Sequence, residues 1–328
     1  MRAILIENEG KNSRLFLGEV SVPEPAPEEV LVKVRATSVN QADLLQRRGL
    51  YPPPPGVSSI LGLDISGEIV ETGKNATLWK EGDRVFGFVA GGGYGEFVAI
   101  NEKLIWSIPS GLDFESAAAI GEVFATAYLN LFILAQLQKG ERALIHGGSG
   151  GVGTAAIQLA RVAGVEIFTT VATDEGKDLC MELGAQYVIN YENEEFSEKV
   201  LEITSGQGVD VVLDFVGAPY INKHLEILRE HGRLVLIGLK GGTKAEVFLP
   251  PILTKRLQII GSTLRSLSFD RKVRLVEEFE KKVLPRLENG EIFPVIDSIF
   301  PINQVEEAHQ RFRQSKHLGK IVLTWHTV

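Results

Sequence analysis

Three glycines, Gly148, Gly150 and Gly153, fall on a G-x-G-x-x-G spacing within the run Leu144-Ile145-His146-Gly147-Gly148-Ser149-Gly150-Gly151-Val152-Gly153-Thr154. The chemistry such a spacing serves is pyrophosphate binding. The first glycine permits a tight turn, the second lets the phosphates approach the backbone, and the third lets helix pack on strand. A helix starting there adds free N–H groups and the positive end of its dipole. A chain with 34 glycines meets this spacing by chance, so its context has to carry the reading. A hydrophobic strand enters the turn, a helical pattern leaves it and a second strand follows, as a dinucleotide site requires. Gly148, Ser149, Gly150, Gly151, Val152 and Gly153 are therefore candidate cofactor-binding residues.

The second strand of such a unit normally ends in an acid that holds the adenosine ribose of NAD. Here it ends Thr170-Val171-Ala172-Thr173, with no acid at Val171. A 2′-phosphate would instead find the hydroxyl of Thr173, Lys177 and the phenol of Tyr191. The missing acid thus favours NADPH, although Asp174 and Glu175 add negative charge nearby.

These residues need elements to position them. Before about Ser116 the chain reads as short strands between turns: Val30–Ala36, Gly67–Glu71, Arg84–Phe88 and Gly95–Ile100. Close spacing of short strands suggests a barrel-like β domain. The prolines Pro23, Pro25 and Pro27 mark a stiff connection within it. From Ser116 to Gln138 the chain is alanine-rich and reads as one long helix. Strand and helix then alternate: strand Arg142–Ile145, a helix over roughly Gly153–Val162, strand Glu166–Thr170, a helix Asp174–Leu183 stopping at Gly184, then strands Val209–Asp214 and Arg233–Gly238. Such alternation implies a doubly wound parallel sheet. Leu257–Thr263 reads as its last strand, on an edge suited to pairing with a second copy. The tail, with helices near Arg271–Glu288 and Val305–Gln314 and strand Lys320–Leu323, is too short for a domain and is expected to return to the first one. The fold class is therefore α/β, a β-rich domain over 1–122 and 264–328 interrupted by a dinucleotide-binding domain over 123–263.

Composition narrows the function classes. The 328 residues are 44% hydrophobic and 23% charged, ordinary for a globular chain of about two domains. A net charge of −8 and the lack of a basic aromatic stripe argue against a nucleic-acid partner. The one cysteine, Cys180, allows no internal disulfide and suits a reducing compartment, the cytoplasm. No stretch approaches the ~18 apolar residues of a membrane span. The opening Met1-Arg2-Ala3-Ile4-Leu5-Ile6 meets Glu7 too early for a signal segment and reads as a first strand.

In combination, Asn40-Gln41-Ala42-Asp43-Leu44-Leu45-Gln46-Arg47-Arg48-Gly49, Tyr51-Pro52-Pro53-Pro54, Gly91-Gly92-Gly93, Ser149–Ala160, Asn190-Tyr191 and Gly319-Lys320-Ile321-Val322-Leu323 resemble the medium-chain dehydrogenase/reductase superfamily. The resemblance covers essentially the whole chain and is greatest to its zinc-free quinone oxidoreductases, above all the tumour-suppressor-inducible quinone reductases. It implies a GroES-like catalytic domain interrupted by a Rossmann domain. Zinc-dependent relatives carry a cysteine where Asn40 stands and a His-Glu pair where Leu63-Asp64 stands. Asn40 and Leu63 cannot supply those ligands, so no metal is expected. Without a Lewis acid, an acceptor that takes hydride readily is favoured.

The resemblance also assigns roles. Tyr51 borders nicotinamide and substrate in similar enzymes, and the prolines after it, Pro52 to Pro55, stiffen the chain. Asn40 is the second polar group near the substrate carbonyl, or a turn-stabilising asparagine. Asp43 reads as a helix-start carboxylate. Asp64 is a buried proton-network member or a turn residue. Thr126 opens the helix facing the nicotinamide. Phe215, Val216, Gly238 and Leu239 end parallel strands where such sheets place ligands, Leu264 and Arg265 follow the last strand, and Lys320 reaches back to the cofactor. Two departures stand out. Gly176 occupies the position of the relatives' 2′-phosphate lysine, and the relatives carry a serine where Gly150 stands and a non-glycine residue where Ser149 stands. The implied activity is NADPH-dependent reduction of a quinone, by one or two electrons, in a homodimer. The alternatives are reduction of an activated alkene on the same scaffold, or cofactor binding with little turnover.

Overall fold

The computed structural model describes residues 1–326. Its contacts divide the chain into two units at Ala125/Thr126 and at Leu264/Arg265.

The first unit is β-rich. Strands β1 (Arg2–Glu7) and β2 (Arg14–Glu19) pair as an antiparallel ribbon. The larger sheet contains β3 (Glu29–Ser38), β4 (Asp64–Thr72), β5 (Arg84–Phe88), β6 (Phe97–Asn101) and β7 (Ile105–Ser107). In β3, Val32, Val34 and Ala36 are buried while Lys33 and Arg35 between them are less so, the period-2 pattern of a half-covered strand. Its neighbours are β4 and β6, both antiparallel.

The second unit carries six strands: β8 (Arg142–Ile145), β9 (Glu166–Val171), β10 (Tyr187–Asn190), β11 (Val209–Asp214), β12 (Leu228–Leu236) and β13 (Gln258–Gly261). They are all parallel, in the order β10-β9-β8-β11-β12-β13. The order reverses between β8 and β11, where such sheets bind ligands beyond their carboxyl ends. Strand β11 is buried at every position but Asp210, as a strand with both faces covered should be. The tail returns to the first unit: β14 (Ile296–Pro301) pairs parallel with β15 (Lys320–Thr324), and β15 pairs antiparallel with β3.

The long helix read over Ser116–Gln138 is in fact three pieces: Phe114–Ala118, Gly121–Tyr128 and a wide π-type turn over Leu129–Leu134. Tertiary contact overrides its helix propensity. A side chain at Gly121 would strike the Gly87 carbonyl at 2.7 Å, and the next amide, Glu122 N, donates to Asp64 Oδ1 at 2.6 Å. Restarting the helix there gives a buried carboxylate a backbone donor that a continuous helix would have used internally.

Candidate active and cofactor sites

In the second unit, the glycine run leaves β8 and enters the helix Gly151–Val162, with Gly150 as its N-cap. The positive φ of the turn lies at Gly147 (58°), one residue before the glycine expected to make it. Gly148 is needed for packing, since an added Cβ would lie 2.1 Å from Thr169 Oγ1. Gly153 is needed likewise: its Cβ would sit 2.2 Å from the Gly147 carbonyl. At Gly150 a Cβ would meet only that carbonyl, at 3.4 Å. The loop is thus closed on the protein side at Gly148 and Gly153 and open at Gly150, the arrangement a pyrophosphate requires.

The end of β9 gathers the residues read as the 2′-phosphate site. Asn190 pairs with Val171, and Tyr191 N donates to the Val171 carbonyl at 3.1 Å, so Tyr191 adjoins the strand end. Thr173 caps the helix Asp174–Leu183, its hydroxyl accepting from Gly176 N at 3.1 Å. Lys177 is exposed on the first turn, and Tyr191 is 42% exposed with its phenol pKa raised by partial burial and then by Glu192. The structure accounts for Gly176. Its Cβ would stand 3.2 Å from both Cβ and Oγ of Ser149, so the serine fills space that a side chain at 176 would need. Positions 149 and 176 thus pack against one another.

Phe215 and Val216 follow β11 at its carboxyl end, and Gly217 turns the chain with φ 84°. The Phe215 ring lies where a Gly147 side chain would go, and its backbone lies against Gly238. Leu239 is exposed, whereas Thr126 and Leu264 are buried at the two ends of the unit. Thr126, expected to open a helix, lies instead near the end of the helix Gly121–Tyr128, which starts early at Gly121.

Beneath these loops runs a chain of buried groups the sequence reading did not find. Gly147 N donates to Thr170 Oγ1, which lies 2.9 Å from His146 Nδ1, and His146 Nε2 lies 2.8 Å from His224 Nε2. His224 Nδ1 is 4.0 Å from Asp214 Oδ2, and the Asp214 carboxylate accepts from Val216 N and Gly217 N. Burial drives the His224 pKa down to about 3 and that of His146 well below its usual value, and pushes Asp214 up to about 6. The close Nε2–Nε2 approach is that of a hydrogen bond between neutral imidazoles. His146 directly follows strand β8 and could have been suspected. His224 lies 78 residues away, and no local pattern marks it.

In the first unit, a second buried cluster surrounds Asn40. Asp43 acts as the helix-start carboxylate, accepting from Asn40 N at 2.8 Å, and Asn40 caps the helix Gln41–Gln46. The Asn40 side chain looks elsewhere: Nδ2 donates to Asp64 Oδ2 at 2.7 Å and Oδ1 accepts from Lys320 Nζ at 2.6 Å. Asp64 also accepts from Ser38 Oγ at 2.5 Å. Beside this lies a directional chain. Arg47 can only donate, so His309 Nδ1 accepts from it, His309 Nε2 donates to the Tyr94 hydroxyl, and that hydroxyl donates to Asp43 Oδ2. Burial raises Asp43 to about 6 against the opposing pull of the Asn40 and Gly62 amides.

Tyr51 is half-buried, and Arg265 holds it. The guanidinium carbon sits 5.3 Å from the ring centroid, Nη1 donates to the Tyr51 carbonyl at 3.3 Å, and the remaining contacts go to the Ala90 carbonyl and Gln46 Oε1. Burial raises the Tyr51 pKa, and the Arg265 charge opposes the shift. Arg265 and Lys320, both read as cofactor contacts, have their charged groups engaged within the first unit.

The family model described as "Alcohol dehydrogenase GroES-like domain" matches residues 26–110, and "Zinc-binding dehydrogenase" matches residues 151–287. The human protein named quinone oxidoreductase is 33% identical over 98% of this chain and 97% of its own. The chain belongs to the medium-chain dehydrogenase/reductase superfamily. Its first unit is the GroES-like domain and its second the Rossmann-like domain, and it lies in the zinc-independent part of the superfamily, since Asn40 and Leu63 cannot serve as metal ligands. Among solved structures, the Escherichia coli quinone oxidoreductase complexed with NADPH superposes with a TM-score of 0.88 at 28% identity, covering 98% of this chain and 99% of that one. The JamJ enoyl reductase superposes at 0.86 with 31% identity, covering 98% of both chains. The relatives thus include both quinone oxidoreductases and enoyl reductases.

Proposed function

We propose that this chain is an NADPH-dependent quinone oxidoreductase that transfers hydride without zinc. The observation that carries the reading is the buried Asn40–Asp64–Lys320 cluster. Where a Lewis acid would be needed to activate an alcohol, this cluster offers an amide, a carboxylate and an ammonium that satisfy one another. The reaction therefore calls for an acceptor that takes hydride unaided, and a quinone does so, its reduced oxygens taking protons from water. NADPH, when bound, supplies the hydride.

The loop Gly148–Gly153 receives the pyrophosphate at its open glycine, Gly150. Thr173, Lys177 and Tyr191 receive the 2′-phosphate, for which the missing acid at Val171 leaves room. Thr126, Phe215, Val216, Gly238, Leu239 and Leu264 complete the cofactor's surroundings. Tyr51 is assigned to the acceptor as hydrogen-bond donor, its ring and backbone steadied by Arg265, and Asn40 is the second acceptor-side group. Reduction of an activated alkene is the second reading. Likeness to an enoyl reductase favours it, and Tyr51 would then protonate Cα after hydride reaches Cβ.

A steady-state panel of naphthoquinones and 2-alkenals, each with NADPH and NADH, tests these assignments. The reading expects kcat/KM at least ~10-fold higher with NADPH and higher for quinones than for alkenals. Preference for NADH removes the 2′-phosphate assignment, and turnover confined to alkenals hands the function to the second reading.

A further inference from the structure

We propose that Lys320 is a positioning residue for Asn40, holding the acceptor-side amide in one orientation. The proposal rests on the assignment of Asn40 made above and gives Lys320 a role apart from the cofactor.

Register brings the two residues together. Val322 of β15 pairs with Ser38 of β3, and Val39 N donates to the Ile321 carbonyl, so Lys320 starts its strand beside Asn40 although 280 residues separate them. An ammonium has three N–H donors and no acceptor. Lys320 Nζ has three acceptors around it: Asn40 Oδ1 at 2.6 Å, the Val39 carbonyl at 3.1 Å and Asp64 Oδ2 at 3.3 Å. The residue is only 4% exposed. Its donors are therefore spent inside the first unit. Swinging the lysine out to a phosphate would strand a buried Asp64 carboxylate without its cation, a costly outcome.

The same contacts fix which way the amide faces. With Oδ1 on the ammonium, Nδ2 lies against the Asp64 carboxylate at 2.7 Å. A flipped amide would set its NH2 against the ammonium and its oxygen against the carboxylate, exchanging two attractions for two repulsions in a site shielded from water. One Nδ2 hydrogen serves Asp64. The other has the Ser38 carbonyl at 3.5 Å, too long for a good hydrogen bond, and is the hydrogen this geometry leaves for an acceptor oxygen.

The test compares Lys320→Met with the double variant Lys320→Met/Asp64→Asn, which removes both charges so that neither is left unpaired. NADPH Kd is measured by its fluorescence. The Asn40 side-chain amide is followed by NMR on protein labelled with 15N-asparagine. Then kcat and KM are measured with whichever of naphthoquinone or 2-alkenal the wild type reduces. The proposal expects NADPH Kd within about twofold of wild type, kcat reduced ~10-fold to ~100-fold, and faster solvent exchange of the Asn40 amide protons. A tenfold or greater rise in NADPH Kd (about 1.4 kcal/mol) makes Lys320 a cofactor contact and overturns the proposal. Unchanged kcat or unchanged amide exchange overturns it too. Should the single variant fail to fold, the double variant decides. A wild type inactive on both acceptors defeats the proposed function, while amide exchange and NADPH Kd still judge Lys320.

Discussion

Tyr51 and Arg265 show how a single residue's role depends on what holds it. The prolines after Tyr51 imply a stiff presentation, and the structure adds Arg265 packed on its ring and bonded to its carbonyl. If the phenol hydrogen bonds the acceptor in the transition state, Tyr51→Phe should lower kcat/KM for a naphthoquinone by ~10-fold to ~100-fold with little change in the KM for NADPH, since one neutral hydrogen bond to a developing charge is worth a few kcal/mol at most. An unchanged kcat/KM would take Tyr51 out of the chemistry. The pairing of Tyr51 with Arg265 is not legible in the sequence, because the two stand 214 positions apart and neither marks the other.

At the scale of the element, the glycine loop separates packing from ligand binding. Gly153→Ala forces a Cβ to within 2.2 Å of the Gly147 carbonyl, which cannot yield without moving the turn. Overpacking of that kind should cost about 1–3 kcal/mol, seen as a lower midpoint in thermal or urea unfolding. Gly150→Ala meets nothing closer than 3.4 Å and should leave stability within about 0.5 kcal/mol. It should nonetheless weaken NADPH by fluorescence titration, because the methyl would stand where the proposed assignment puts the pyrophosphate. A Gly150→Ala variant that is destabilised by more than about 1 kcal/mol, or that folds and binds NADPH with an unchanged Kd, would overturn this assignment of the loop. The strand-turn-helix context of these glycines was legible because it is local. The break at Gly121 in the alanine-rich run was not, because Gly87 and Asp64, which impose it, come from distant strands.

For the whole molecule, buried titratable groups and one strand edge yield two expectations. His224 falls to about 3 in the fold from an ordinary 6.5, so between those values the unfolded chain binds the proton that the folded chain refuses. Its contribution to stability is complete above pH 6.5 and is lost as pH falls toward 3. Asp43 and Asp214, raised to about 6, act in the opposite sense over the same range and blunt the overall dependence. Replacing the histidine therefore isolates its part: His224→Gln should lose less stability than wild type between pH 7 and pH 4 by thermal melting, and an identical or steeper loss would contradict the assignment. Strand β13 forms the edge of the parallel sheet, with Ile259 43% exposed and Phe248, Leu249 and Leu253 exposed in the segment before it. An apolar edge of this kind is suited to pairing with a second copy. Light scattering should find a dimer, and lysine in place of Ile259 should shift it toward monomer. A wild type that stays monomeric at every concentration would end that proposal.

The sequence by itself determined the βα alternation, the dinucleotide loop, the lack of an acid at Val171 and the lack of zinc ligands at Asn40 and Leu63. The first three are properties of residue type at short spacing, where periodicity and turn chemistry act over a few residues, and the fourth follows from the family resemblance that says where the ligands would stand. Tertiary structure alone decided that Lys320 meets Asn40 and Asp64, that Arg265 grips Tyr51, and that His146 finds His224. Those contacts depend on strand register and sheet order, which join positions 78 to 280 residues apart. In a buried site the electrostatic gain from such pairing decides where each charged side chain points, and local sequence carries no record of it.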